Sequence, residues 1–337
     1  MQTLNIAVLL ALTCCNVFQM TLAKDFTYNG ALGPDHWAEQ FRTCSGKHQS
    51  PINIDSLNVV RRTYQPMIFE KFQEPPKNAE ILNNGHTVVV RLDFAGKRPT
   101  ISGGPLDGEF VFEQLHFHWG DNDTVGSEDR INNISFPAEL HMVFKNTKYQ
   151  TFGEAAKEGN GVTVLAFFYA IVAHDNFDYA EFTDLLEQVV KPDSVAKFRD
   201  PPCLWDFIHF DVQEYYTYIG SLTTPPCSED VTWIDFQTPI SISAKQIEHF
   251  RRLYTHGNKP LTHNFRPLQP LNDRTVFCSL PLTNPDETGL ELQSAVPFVD
   301  NLVGGASTHK PAEISLTVMA LLSSSFLFTK ATLAALI

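Results

Sequence analysis

The run Val162–Val172, Val-Thr-Val-Leu-Ala-Phe-Phe-Tyr-Ala-Ile-Val, is apolar at almost every position. A strand written this way has no side to show to water, so it belongs inside a sheet that is covered on both faces. Shorter segments around it, at 87–92, 109–119, 138–144 and 231–236, alternate apolar and polar residues and are bounded by Gly, Asp or Pro. Helical spacing shows in two places. Phe182, Leu185, Leu186, Val189 and Val190 share one face, with Asp178 and Glu181 spaced as a capping box and Pro192 as the stop. Ser243 and Gln246 repeat the box before Ile247, Phe250, Leu253 and Tyr254. The expected fold is mainly β with short helices (α+β), a single domain around a large, mostly antiparallel twisted central sheet.

The ends are written differently from the body. Residues 6–18 are apolar apart from Thr13 and Asn16, and Thr21 and Ala23 supply small cleavage-site residues. This predicts a signal peptide over 1–23, although residues 1–5 bring no Lys or Arg. At the other end, 314–337 is apolar and small except for Lys330. Upstream lie Gly304, Gly305, Ala306 and Ser307, then a polar spacer over 308–313. Small residues, spacer and terminal tail together read as a GPI-attachment signal. The expected division is a leader over 1–23, a folded domain over 24–283, a tether over 284–307 and a removed segment over 308–337. A protein so processed sits at the outer face of the plasma membrane.

Secretion bears on the cysteines and the sequons. Of six cysteines, Cys14 and Cys15 fall in the leader, leaving Cys44, Cys203, Cys227 and Cys278. An oxidising compartment favours two disulfides, and four cysteines allow three pairings that spacing does not choose among. Asn122-Asp-Thr and Asn133-Ile-Ser are glycan acceptors if exposed. The formal net charge is −13, with no Lys/Arg run longer than two, so nucleic-acid binding is excluded.

The chemistry concentrates in Gln114-Leu-His116-Phe-His118-Trp119. On a strand, Gln114, His116 and His118 share one face. His-x-His alone is a weak signal, because most histidines simply find a hydrogen-bond partner. A second strand, Ala138-Glu-Leu-His-Met-Val-Phe144, puts Glu139, His141 and Val143 on one face. Three imidazoles leave the fourth position of a tetrahedral zinc site open, the catalytic arrangement. Gln114 and Glu139 are spaced to accept the ring N–H groups of those histidines.

With Glu128 ten residues after His118, Ser221-Leu-Thr-Thr-Pro-Pro226 and Trp233, these strands resemble the signature of the α-class carbonic anhydrases. Gly33-Pro-Asp-His-Trp37, Gln49-Ser-Pro-Ile-Asn-Ile54, Asn83-Asn-Gly-His86 and Asn264-Phe-Arg-Pro-Leu-Gln-Pro270 match in order. The likeness covers roughly 27–277, and the terminal signals resemble the extracellular, membrane-anchored members.

The resemblance implies that His116, His118 and His141 bind Zn²⁺ and that zinc-bound hydroxide hydrates CO₂ to bicarbonate and a proton. It implies that Thr223 accepts a hydrogen bond from the hydroxide and donates to Glu128. Val143, Val164, Leu222 and Trp233 would line the CO₂ pocket, with Thr224 at its mouth. His86 stands at the proton-shuttle position, with Tyr28 and Asn84 holding the water chain to it. Val89 replaces a polar residue of the family pattern, and Glu113 puts a charge where an apolar wall residue is common; both bear on proton transfer rather than on the metal. Cys44 and Cys227 match the disulfide of extracellular members, which leaves Cys203 and Cys278 to pair by elimination. Bicarbonate or proton transporters are the expected neighbours, and the oligomeric state is left open. A non-catalytic binding or adhesion module on the same fold is the rival reading. Such relatives typically lack a ligand histidine, and all three stand here.

Overall fold

The computed structural model describes residues 25–208 and 212–280. The leader at 1–23, the attachment candidates Gly304, Gly305, Ala306 and Ser307, and the tail over 308–337 lie outside the described residues. The first strands are β1 (Asn53–Ile54), β2 (Val60–Thr63), β3 (Gln65–Glu70), β4 (Asn78–Asn83) and β5 (Val88–Asp93). Next come β6 (Thr100–Gly104), β7 (Phe110–Trp119), β8 (Arg130–Ile131), β9 (Ala138–Asn146) and β10 (Val162–Val172). The last are β11 (Val195–Lys197), β12 (Tyr215–Ser221), β13 (Glu229–Ser243) and β14 (Phe277–Leu280).

Twelve strands form one sheet in the order β11-β4-β5-β7-β9-β10-β13-β12-β14-β2, with β3 and β6 attached beside β7. Most neighbours are antiparallel, but β10 with β13 and β14 with β2 run parallel, so the sheet is mixed. The apolar run Val162–Val172 is β10, with β9 on one side and β13 on the other. Its odd residues Leu165, Phe167 and Tyr169 enter one core, and Val162, Val164 and Ala166 enter another on the opposite face. Two cores explain the absence of alternation in its sequence.

The larger core is roofed by helices α3 (Ala180–Leu186) and α4 (Ala244–Arg251), the two places of helical spacing; α1 (Trp37–Gln40) and α2 (Phe152–Ala155) are single turns. Phe117 on β7 stacks on Phe182 of α3 at 4.9 Å and meets Phe250 of α4 edge-on at 5.4 Å. Each such fully buried phenylalanine stabilises the fold by about 1.5–3 kcal/mol.

Ser243 caps α4 as expected: its Oγ accepts from the Gln246 N–H, and the Gln246 side chain accepts from the Ser243 N–H. The expected box at Asp178 does not form. Asn176 accepts from the Asp178 N–H instead, and Glu181 turns outward to accept from the N–H groups of Arg199 and Asp200. Nor does α3 reach Val190. It ends at Leu186, after which the N–H groups of Gln188 and Val189 bond only three residues back, to Leu185 and Leu186, and the buried Asn83 amide takes the carbonyls of Val189 and Val190.

Candidate metal centre

Strand register assembles the site. In the antiparallel β7–β9 pair, His116 lies opposite His141 and His118 opposite Glu139. The row through His141 continues to Ala166 on β10 and Asp235 on β13, and a parallel row joins Gln114, Val143, Val164 and Trp233. A bulge at Glu113, between Phe112 and Gln114, sets the facing of β7. Before it the even residues Phe110 and Phe112 enter the large core; after it the odd residues Leu115, Phe117 and Trp119 do. The even residues Gln114, His116 and His118 are thereby freed for the other face. Glu113 itself is held by Arg98 at 3.2 Å and Lys145 at 3.8 Å, which neutralises the charge at this position.

Each imidazole has one nitrogen committed and one free. His116 Nδ1 meets Gln114 Oε1 at 3.1 Å, His118 Nδ1 meets the Asn264 carbonyl at 2.7 Å, and His141 Nε2 meets Glu139 Oε1 at 2.7 Å. An acceptor on one nitrogen fixes the tautomer and leaves a lone pair on the other. The candidate ligand atoms lie within 4.8 Å of one another. His118 Nε2 is fully buried without a hydrogen-bond partner among the described residues, the condition of a nitrogen reserved for a cation. Burial, and then the neighbouring imidazoles, hold the His116 and His141 pKa well below the ordinary range, so both rings are neutral donors.

Beneath the histidines lies a floor of acids. Glu128, Asp129, Glu139 and Asp235 are all buried. Desolvation raises the pKa of each, and Coulombic repulsion from Asp129 adds to the rise at Glu139 and Asp235. A divalent cation supplies the positive charge that this floor calls for. Three convergent imidazoles, oriented acceptors and a cluster of buried acids suit Zn²⁺.

Glu128 links the metal end to the loop after β12. Its Oε2 lies 3.5 Å from His118 Nε2 and its Oε1 accepts from the Arg266 N–H at 2.8 Å, while burial raises its carboxyl pKa against His118 and the nearby Thr223 side chain, which lower it. Arg266 in turn binds Gln49 Oε1 and the carbonyls of Ser50 and Cys44.

With this geometry in place, comparison is decisive. The family model for eukaryotic-type carbonic anhydrases matches residues 32–280. The chain belongs to that family. It is 36% identical to human carbonic anhydrase 3 over 265 residues, 77% of this chain and 99% of the relative. It is 42% identical to mouse carbonic anhydrase 7 over 256 residues, 73% of this chain and 94% of that protein. Human carbonic anhydrase 7 is 41% identical over 269 residues, 77% of this chain and 99% of its own length. The enzyme class follows: a carbonic anhydrase, a carbonate dehydratase that uses zinc and interconverts carbon dioxide and bicarbonate.

Of the remaining candidates, the apolar ones pack beside the carbonic anhydrase centre. Val143, Val164 and Trp233 are buried in the smaller core, with Leu222 packed against it, and the Trp233 ring meets His141 edge-on at 4.9 Å. Thr224 is half-buried beside Thr223. Tyr28 is buried against Trp37. Asn84 closes a turn, its Oδ1 accepting the N–H groups of His86 and Thr87. The His86 ring stacks on Phe26 at 4.2 Å.

Cys44 and Cys227 form a disulfide. Cys203 and Cys278 do not pair, and the pairing by elimination is corrected. Cys203 heads the short helix Leu204–Phe207, while Cys278 lies in β14 with the Gln237 amide 3.4 Å from its Sγ; each thiol is accommodated separately. Both sequon asparagines, Asn122 and Asn133, are exposed.

Sequence reasoning assigned no role to Asn264, Asp129 or Asp235. Asn264 serves His118 through its backbone carbonyl and Trp119 through its side chain, and a carbonyl leaves no mark in sequence. Asp129, just before β8, and Asp235, in β13, carry no mark in sequence that separates them from solvated acids.

Proposed function

We propose that this carbonic anhydrase hydrates carbon dioxide by attack of hydroxide generated at its zinc, at the outer face of the plasma membrane under a GPI anchor. The observation that carries the catalytic part is the convergence of three free imidazole nitrogens within 4.8 Å, each opposite a nitrogen already held by an acceptor. His116 and His118 would hold zinc through Nε2, and His141 through Nδ1. Zinc, when bound, supplies the Lewis acidity that turns water into hydroxide near neutral pH, a capacity for which carbonic anhydrases are the standard example.

The chain's own residues do the rest. Thr223, with its hydroxyl hydrogen bond donated to Glu128, presents only lone pairs to the attacking oxygen, so it accepts a hydrogen bond from that oxygen and fixes which lone pair faces the substrate. The wall of Val143, Val164, Leu222 and Trp233 takes up apolar CO₂ and excludes competing water, and Thr224 faces the departing bicarbonate. His86, whose pKa burial lowers from the usual imidazole value, accepts the released proton and passes it outward. Tyr28 and Asn84 flank the path between.

Support for the cell-surface part is that the relatives are matched over nearly their whole length while this chain extends past the family region at residue 280. The added ends carry the leader and tail patterns, and the exposed sequons and the disulfide suit the same route. Transporters of bicarbonate or protons are the partners such a location serves.

The test is stopped-flow CO₂ hydration by the zinc-loaded protein, the zinc-stripped protein and a His116→Ala variant. Fast hydration that disappears with the metal and with His116 supports the reading. A folded, zinc-loaded protein that does not accelerate hydration overturns it in favour of a binding module.

A further inference from the structure

Around His86 the structure holds a second imidazole that the catalytic reading does not use. His256, in the segment after α4, has its ring centroid 6.2 Å from that of His86. The ring is packed on Gly85, where φ is +82° and a Cβ would fall 2.1 Å from His256 Nδ1. Only glycine lets the imidazole come so close. On its other side, His256 Nε2 meets both carboxylate oxygens of Asp193 at 3.0 and 3.1 Å.

His86 is itself poorly placed to release a proton to solvent. Phe26 covers one face of its ring at 4.2 Å, and its side chain keeps 23% exposure against 52% for His256. The other charged group beside it, Asp25, lies 3.9 Å from Nε2. A carboxylate is by nature far less basic than imidazole, so it steadies an imidazolium rather than receiving its proton. Transfer from imidazole to imidazole moves the proton between groups of one chemical kind, and the two rings are neighbours in the structure.

We propose that His256, held by Asp193, is a second station in proton export, receiving the proton that His86 has accepted and releasing it to solvent. The step balances simply. A proton arriving at one nitrogen of His86 makes an imidazolium, which loses a proton toward neutral His256. His256 becomes the imidazolium, paired with the Asp193 carboxylate, and discharges to buffer. Both rings are then neutral for the next cycle. This rests on the reading of His86 as first acceptor.

The experiment compares wild type, His86→Ala, His256→Ala and Asp193→Asn as zinc-loaded proteins in weak buffer and in concentrated imidazole. His256→Ala lowers kcat in weak buffer by a factor on the order of 3, less than the loss in His86→Ala, with kcat/KM unchanged and kcat restored by imidazole. Asp193→Asn shifts kcat the same way. A second readout needs no turnover. His256 lowers the His86 pKa by like-charge repulsion, while Asp25 raises it, so the His86 ring protons followed by NMR titrate at higher pH in His256→Ala. Full kcat in His256→Ala alongside a depressed His86→Ala, or an unmoved His86 titration, overturns the relay and leaves His86 standing. Full kcat in His86→Ala overturns both.

Discussion

Under our proposal the Thr223 hydroxyl donates its one hydrogen bond to Glu128. Thr223→Ala removes the orienting acceptor without touching a ligand, so kcat/KM falls by about 100-fold while zinc content stays stoichiometric by metal analysis. Glu139 accepts His141 Nε2 together with the N–H groups of Glu128 and Asp129. Glu139→Gln keeps the shape but loses the charge, and zinc affinity drops on the order of 10- to 100-fold in a chelator competition. Asp129 offers a pH test. Burial pushes its carboxyl from 3.8 up to about 7, against the hydrogen bonds from the Ile52 N–H and the Tyr218 hydroxyl. Between those values the folded protein holds a proton that the unfolded chain has released, so stability is lost as pH rises through the window. Denaturant midpoints fall from pH 4 to 7 in wild type, and the slope flattens in Asp129→Asn. At this scale His116, His118, His141, Gln114 and Glu139 were legible, because strand alternation alone puts them on shared faces. Asp129 and Asp235 were not, since burial of an acid depends on what the rest of the chain lays over it.

Among the elements, local signals were legible where their partners are local. The box at Ser243 sits within one turn of its donor, and Ser243→Ala costs about 1 kcal/mol in denaturant unfolding. The box at Asp178 and the last turn of α3 failed for the opposite reason. Asn176, Arg199 and Asn83 supply competing hydrogen bonds from positions that helical spacing does not weigh. The Cys44–Cys227 bridge spans a separation of 183 residues and ties the loop after Thr223 to the N-terminal segment. Removing it as a Cys44→Ala/Cys227→Ala pair costs about 2–5 kcal/mol, read from chemical unfolding.

For the whole molecule, the sheet-centred fold followed from one feature, a strand too apolar for any surface. Its parallel partnership with β13 did not, because periodicity carries no information on strand direction. The described residues contain no helix long and apolar enough to cross a membrane. Under our proposal a GPI anchor attaches the protein, and phosphatidylinositol-specific phospholipase sheds it from intact cells into the medium. Retention after that treatment favours an uncleaved tail. The bulge at Glu113 has a consequence at this same scale. It works as a parity shift in the middle of a strand whose far half is pinned by phenylalanines. Exchanging Glu113 for another residue leaves the count intact. Running the same residues through without the bulge would turn Leu115 and Phe117 to the other face and drive both histidines among the phenylalanines, whereas deleting Glu113 restores plain alternation, with Phe112, Leu115 and Phe117 still in the core and the histidines still opposite it.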